Sequence, residues 1–136
     1  MATNEGMVYF ALDGDDFEPD LLTEFLGVTP TSIMRKGSRI PDKVPAKNSW
    51  VLSTENIIND YIDVFSMADS IITQLEPKKL VVIEAIEKFQ LYPRLEVVIW
   101  FSMNEDHPTP VIGFEPTTIK FLGDVGAFVD IDTYKH

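Results

Sequence analysis

Apolar and polar positions alternate strictly in "MVYFALDG" (residues 7–14), so the first element reads as a half-buried strand. The period then changes. "FEPDLLTEFLG" (17–27) reads as a helix with Pro19 in its first turn, Asp16 or Glu18 at its N-terminus and Gly27 as its stop. Leu21, Leu22, Phe25 and Leu26 form its apolar face. Two strands come next, "SIMRKG" (32–37) and "SWVLST" (49–54), on either side of a basic, proline-containing loop. The next apolar set, Ile57, Ile58, Tyr61, Ile62, Val64, Phe65, Ala68, Ile71, Ile72 and Leu75, keeps helical spacing. It predicts one long helix, capped by Thr54 and running to about Glu76, whose polar face carries Asp60 and Asp63 without a basic partner. Pro77 breaks it, and "KKLVVIEAIEKFQ" (78–90) reads as a second helix packed back on the first, with Glu84 and Lys88 in the favourable order. "RLEVVIWFSM" (94–103) is apolar on both faces and reads as a central strand. "PVIGFEP" (110–116) reads as a strand, "TTIKFLGDVG" as a short helix and "AFVDIDTY" (127–134) as a last strand. The order is β-α-β-β-α-α-β-β-α-β.

Phe-Glu-Pro followed by Phe-Leu-Gly occurs twice, in residues 17–27 and again in 114–123. In each copy proline opens a short helix and glycine closes it. The expected fold is therefore α+β: a ferredoxin-like antiparallel or mixed sheet with helices on one face, and two related β-α-β halves. Internal duplication and shared turn chemistry both account for the echo. No linker or low-complexity segment divides the chain, so residues 1–136 are read as one acidic domain.

Charge narrows the function classes. The chain has 22 acids and 11 bases, for a net charge of −11. Residues 1–34 hold seven acids and no base, 35–48 hold five bases and one acid, and 49–76 hold five acids and no base. Such a surface repels phosphate backbones and anionic lipid, so neither nucleic acid nor membrane is an expected partner. It attracts basic proteins and speeds their encounter. The absence of cysteine excludes disulfide and thiolate chemistry and fits a reducing cytoplasm. The first residues do not read as a signal peptide, and no window is apolar enough to span a membrane.

Candidate chemistry is sparse. Asp13, Asp15, Asp16, Glu18 and Asp20 fail the calcium-loop pattern, because Phe17 takes a ligand position and Pro19 stiffens the residues after it. His107 and His136 lie in no motif with a nucleophile or with metal-ligand spacing. Arg35, Lys36 and Arg39 read as a solvated hairpin. No catalytic residue, metal or cofactor is expected. Alternation places Val8, Phe10 and Leu12 toward the helices, with Val129 and Ile131 likewise inward. Tyr9, Ala11, Asp13, Phe128, Asp130, Asp132 and Tyr134 then point outward, with Trp100 and Val98 sharing a face. Acids beside aromatics suit a basic protein partner better than RNA.

The chain also resembles a known family. Leu26-Gly27, Pro30-Thr31, Lys36-Gly37, Trp50 and the closing Asp130-Ile131-Asp132 with Tyr134 are similar to the domain of unknown function 4279 family over nearly the whole length. That family brings fold marks and no catalytic residues. Small acidic bacterial domains of this kind look like immunity proteins, which neutralise a toxin. The expected function is thus an immunity-type protein that occludes a basic toxin domain, a nuclease in the expected case. Asp13, Asp15, Asp16, Asp60, Asp63, Trp100, Asp130 and Asp132 are its expected contacts. A small-molecule-binding or regulatory module is the alternative.

Overall fold

The computed structural model describes residues 3–38 and 45–135. In chain order the elements are β1 (Glu5–Gly14), α1 (Pro19–Leu26), β2 (Ser32–Met34), β3 (Asn48–Ser53), β4 (Ile57–Ile58) and α2 (Val64–Leu75). A 3₁₀ turn at Glu76–Lys78 leads into α3 (Lys79–Phe89), followed by β5 (Tyr92–Phe101), α4 (Pro116–Val125) and β6 (Phe128–Lys135). The sheet is six-stranded in the order β2-β3-β1-β5-β6, with the two-residue β4 paired to the start of β1. β1 is antiparallel to β3 and to β5, and β2 is antiparallel to β3. β1 and β2 therefore run parallel with β3 between them, which is the split β-α-β of a ferredoxin-like sheet. β6 adds a strand parallel to β5, reached through α4, and makes the sheet mixed. The first expected β-α-β unit is β1-α1-β2, split; the second, expected to start from a strand at 110–116, starts instead from β5, as β5-α4-β6.

The helices cover one face. Val8, Phe10 and Leu12 of β1, Trp50 and Leu52 of β3, and Leu95, Val97 and Ile99 of β5 are all buried there. Phe10 meets Phe121 of α4 edge to face at 6.1 Å. The Trp50 indole N–H donates to Thr23 Oγ1 of α1 (3.1 Å), and α2 lies against β1. Each fully buried apolar side chain of this size contributes about 1.5–3 kcal/mol relative to exposure. Gly6 belongs to this packing, since a Cβ there would lie 2.9 Å from Ile99 Cδ1 and 3.2 Å from Ile62.

The punctuation of α1 matches the sequence reading. Glu18 caps it by accepting from the Asp20 N–H (3.2 Å), Pro19 opens it and Gly27 closes it in the left-handed region at φ 69°. Leu22 and Leu26 are buried, whereas Leu21, expected on the apolar face, is exposed. The echo in α4 departs at its end. The helix passes through Gly123 and stops at Gly126, φ 73°, so that Val125 reaches the core and Lys120 pairs with Asp124 at 2.9 Å.

The long helix expected from Thr54 does not form. Its first third is β4 and a loop, and α2 starts at Val64 with Asp63 as cap, accepting from the Phe65 N–H at 3.0 Å. Local side-chain bonds outcompete helix here: Asn59 Oδ1 accepts from the Tyr61 N–H (2.9 Å), and Thr54 Oγ1 accepts from the Val8 N–H (3.1 Å). Ile57, Ile58 and Tyr61, helically spaced, are exposed. Asp60 and Asp63 accordingly share no helix face.

Three smaller expectations also change. Residues 110–116 form no strand; Val111 makes a single bridge with Asp63, in a segment where Pro108 and Pro110 offer no N–H. α3 packs mainly on α1 and α4, with Phe89 edge-on to Phe25 at 5.7 Å. Val129 and Ile131, in register with Leu95 and Val97, stay 39% and 41% exposed because β6 is the edge strand.

Candidate functional site: the open sheet face

The pleat sends odd-numbered β1 residues and even-numbered β5 and β6 residues to the side away from the helices. Register fixes the rows: Ala11 with Arg94 and Phe128, Tyr9 with Glu96 and Asp130, Met7 with Val98 and Asp132, Glu5 with Trp100 and Tyr134. Among the described residues no helix packs on this side.

A polar chain crosses the face. The Ser49 hydroxyl donates to Asp13 Oδ1 at 2.6 Å. Arg94 bridges Asp13 Oδ2 at 3.2 Å to Glu96 Oε1 at 2.6 Å, and its guanidinium carbon lies 5.5 Å from the Tyr9 ring centroid. Burial works against the Arg94 charge, but Asp13, Tyr9 and Glu96 outweigh it and hold its pKa above the usual guanidinium value. Burial also raises the Tyr9 phenol, against the nearby Arg94.

Glu96 is the unusual group. It is only 2% exposed, in the middle of the sheet. Burial pushes its carboxyl up to about 7; the Arg94 bond opposes this, while Asp130 and Asp132 push the same way. Among the described residues its second oxygen, Oε2, is buried and receives no N–H or hydroxyl donor, while the Glu96 carboxyl has a side-chain hydrogen bond with that of Asp130. Asp130 and Asp132 of β6 stand beside it, and ligand oxygens of all three carboxylates lie within 4.8 Å of one another. At the far end of the face Trp100 stacks on Tyr134, centroids 5.3 Å apart and planes 22° from parallel.

The expected contact residues divide into three groups. Asp13, Trp100, Asp130 and Asp132 share the open face, as alternation predicts. Asp15 and Asp16 are exposed in the turn between β1 and α1, near Lys88 and Tyr92. Asp60 and Asp63 sit on the approach to α2, where Asp60 accepts from the Thr3 hydroxyl at 2.5 Å. Arg35, read as a solvated cation, pairs with Glu18 (2.5 Å) and Asp20 (3.0 Å) and neutralises part of the acid cluster. Arg39 and His136 lie outside the described residues. His107, in no sequence motif, has Nδ1 2.5 Å from Ser102 Oγ and Nε2 3.9 Å from Asp60. Ser102 Oγ also accepts from the Asn104 N–H (3.1 Å), so this group locks the turn after β5.

Sequence reasoning missed Arg94 and Glu96. The signal was present, since two charges spaced two apart in an otherwise apolar central strand must share one face and be buried there.

Fold and face together define a class: a ferredoxin-like α+β domain, extended by a parallel edge strand, with an acid-and-aromatic sheet face free of helices. The chain belongs to the family described as Domain of unknown function (DUF4279), whose model matches residues 3–136. No curated protein and no solved structure matches it. No described helix is long and apolar enough to cross a membrane.

Proposed function

We propose that this chain is an immunity-type interaction protein of the cytoplasm, which binds and neutralises a basic toxin domain, a nuclease in the simplest case. The observation that carries this reading is the Trp100–Tyr134 stack on a face that also presents Asp130 and Asp132. Large aromatics at the centre of a contact supply most of its energy, and acids around them supply steering and register. Phe128, 56% exposed on the same strand, extends the apolar part. Asp15, Asp16, Asp60 and Asp63 add to the field that draws a basic partner in, on a chain of net charge −11.

The test is co-expression with the basic protein encoded beside it, followed by titration of the purified pair. The expected result is a one-to-one complex whose association slows steeply with added salt. Trp100→Ala should raise Kd at least tenfold, a hot-spot loss. Asp130→Lys with Asp132→Lys should do more than Asp60→Lys with Asp63→Lys. Binding that ignores both salt and the β6 reversal sinks the reading.

A concavity of about 480 Å³ on the same face, lined by Asp13, Met34, Lys47, Ser49 and Arg94 among others, favours a second reading. Its volume is that of a small-ligand site. A regulatory module would show a thermal shift with a metabolite and little salt dependence.

A further inference from the structure

We infer that Glu96, Asp130 and Asp132 form a binding site for one divalent cation of calcium size. The three come from adjacent strands: Glu96 faces Asp130 in the parallel ladder, and Asp132 is the next residue of β6 on the same face. Their ligand oxygens lie within 4.8 Å of one another. Calcium holds its oxygens at about 2.3–2.6 Å, so two oxygens of one coordination sphere are up to about 5 Å apart, and separations under 4.8 Å are those of groups that can share one ion. Magnesium, at about 2.1 Å, demands near-ideal octahedral geometry and is usually held by one or two carboxylates rather than three.

The independent observation is Glu96 itself. The side chain is 2% exposed; among the described residues its Oε2 receives no N–H or hydroxyl donor, and the hydrogen bond between the Glu96 and Asp130 carboxyls needs a proton that a bound cation would replace. A buried acceptor left unpaired costs free energy that a bound cation would remove. Arg94 holds the other oxygen, Oε1, at 2.6 Å and so fixes the plane of the carboxylate, as outer-sphere partners of metal ligands do. The acids between β1 and α1 lack any such buried, unpartnered oxygen among the described residues. Three protein ligands leave the remaining positions to water and second carboxylate oxygens, which sets the affinity in the weak range, about 10⁻⁴–10⁻³ M.

The experiment uses the chain alone, so its outcome stands apart from whether a basic partner binds. Protein stripped with a chelator is titrated with calcium chloride by calorimetry. In parallel, terbium is added and its luminescence is followed with excitation of Trp100, which faces Tyr134, two residues or about 7 Å along β6 from Asp132. We expect one saturable calcium per chain, displacement of terbium by calcium, and a Kd raised about tenfold or more by Asp130→Asn or by Asp132→Asn. Asp15→Asn with Asp16→Asn should leave binding unchanged. Glu96→Gln should abolish it; if that variant fails to fold, the two exposed-strand variants still decide. Absence of saturable binding at several times the weakest expected Kd, or binding that survives both β6 substitutions, overturns the inference.

Discussion

Trp100 and Tyr134 lie opposite each other in the β5–β6 ladder and stack with ring centroids 5.3 Å apart. The stack closes the outer end of the only parallel pairing among the described strands, on an edge strand whose other residues are mostly exposed. Such pairs contribute about 0.5–1.5 kcal/mol beyond their buried area. Tyr134→Ala should therefore lower stability by about 1 kcal/mol in denaturant titrations. It should also shift Trp100 emission to the red and increase its quenching by acrylamide. Unchanged emission would mean that Tyr134 does not cover the indole.

The start of α2 rests on one side chain. Asp63 accepts from the Phe65 N–H at 3.0 Å, and no other acid stands in the first turn. Asp63→Ala should cost about 1 kcal/mol, while Asp63→Asn, still a good cap, should cost much less. Thr54→Ala should not act as a helix-cap loss, because Thr54 instead accepts from Val8 in β1. Equal effects of the two alanine variants on helix content would contradict this assignment.

Gly113 packs against the Cζ end of the Phe65 ring. A Cβ at Gly113 would overlap the Phe65 ring, whose Cζ, Cε2 and Cε1 atoms are its nearest neighbours. Gly113→Ala should destabilise by about 1–3 kcal/mol through overpacking. Phe65→Ala should relieve much of that cost, so the double variant should be less destabilised than the sum of the singles. Additivity in a double-mutant cycle would show that the loop simply moves aside.

Asp124 ties α4 to α3 through Lys79 at 3.0 Å and pairs within α4 with Lys120 at 2.9 Å. The Lys120 and Lys79 hydrogen bonds and charges hold its carboxyl below the usual aspartate value of 3.8. A carboxyl depressed in the folded state stabilises fully above its unfolded value, and that contribution is lost as pH falls through the folded value. Asp124→Asn should thus be less stable than the parent at pH 7, with the difference shrinking below about pH 4. Added salt should shrink it too, since the pair is partly exposed. A difference independent of pH from neutral to acid would assign the effect to packing.

Much of the fold is legible because local chemistry decides it. Pro19 and Pro116 open helices since neither has an N–H to lose, and Gly27 adopts a left-handed conformation that side chains resist. β1 is legible because its alternation has one solution: Val8, Phe10 and Leu12 inside, Tyr9 and Asp13 outside. The outer placement of Trp100, Asp130 and Asp132 comes from the same period of two.

Element types follow from the chain wherever a single side chain or a strict period sets the backbone, and so does the acidity of the surface. Long-range packing sets where α2 begins, because helical spacing continues through Ile57 and Tyr61 while pairing with Glu5 and Gly6 of β1 draws Ile57 and Ile58 into β4. Above all it decided the Glu96 site. Asp130 and Asp132 meet a buried carboxylate only through the register of two strands more than thirty residues apart in the chain, and no local pattern encodes that register.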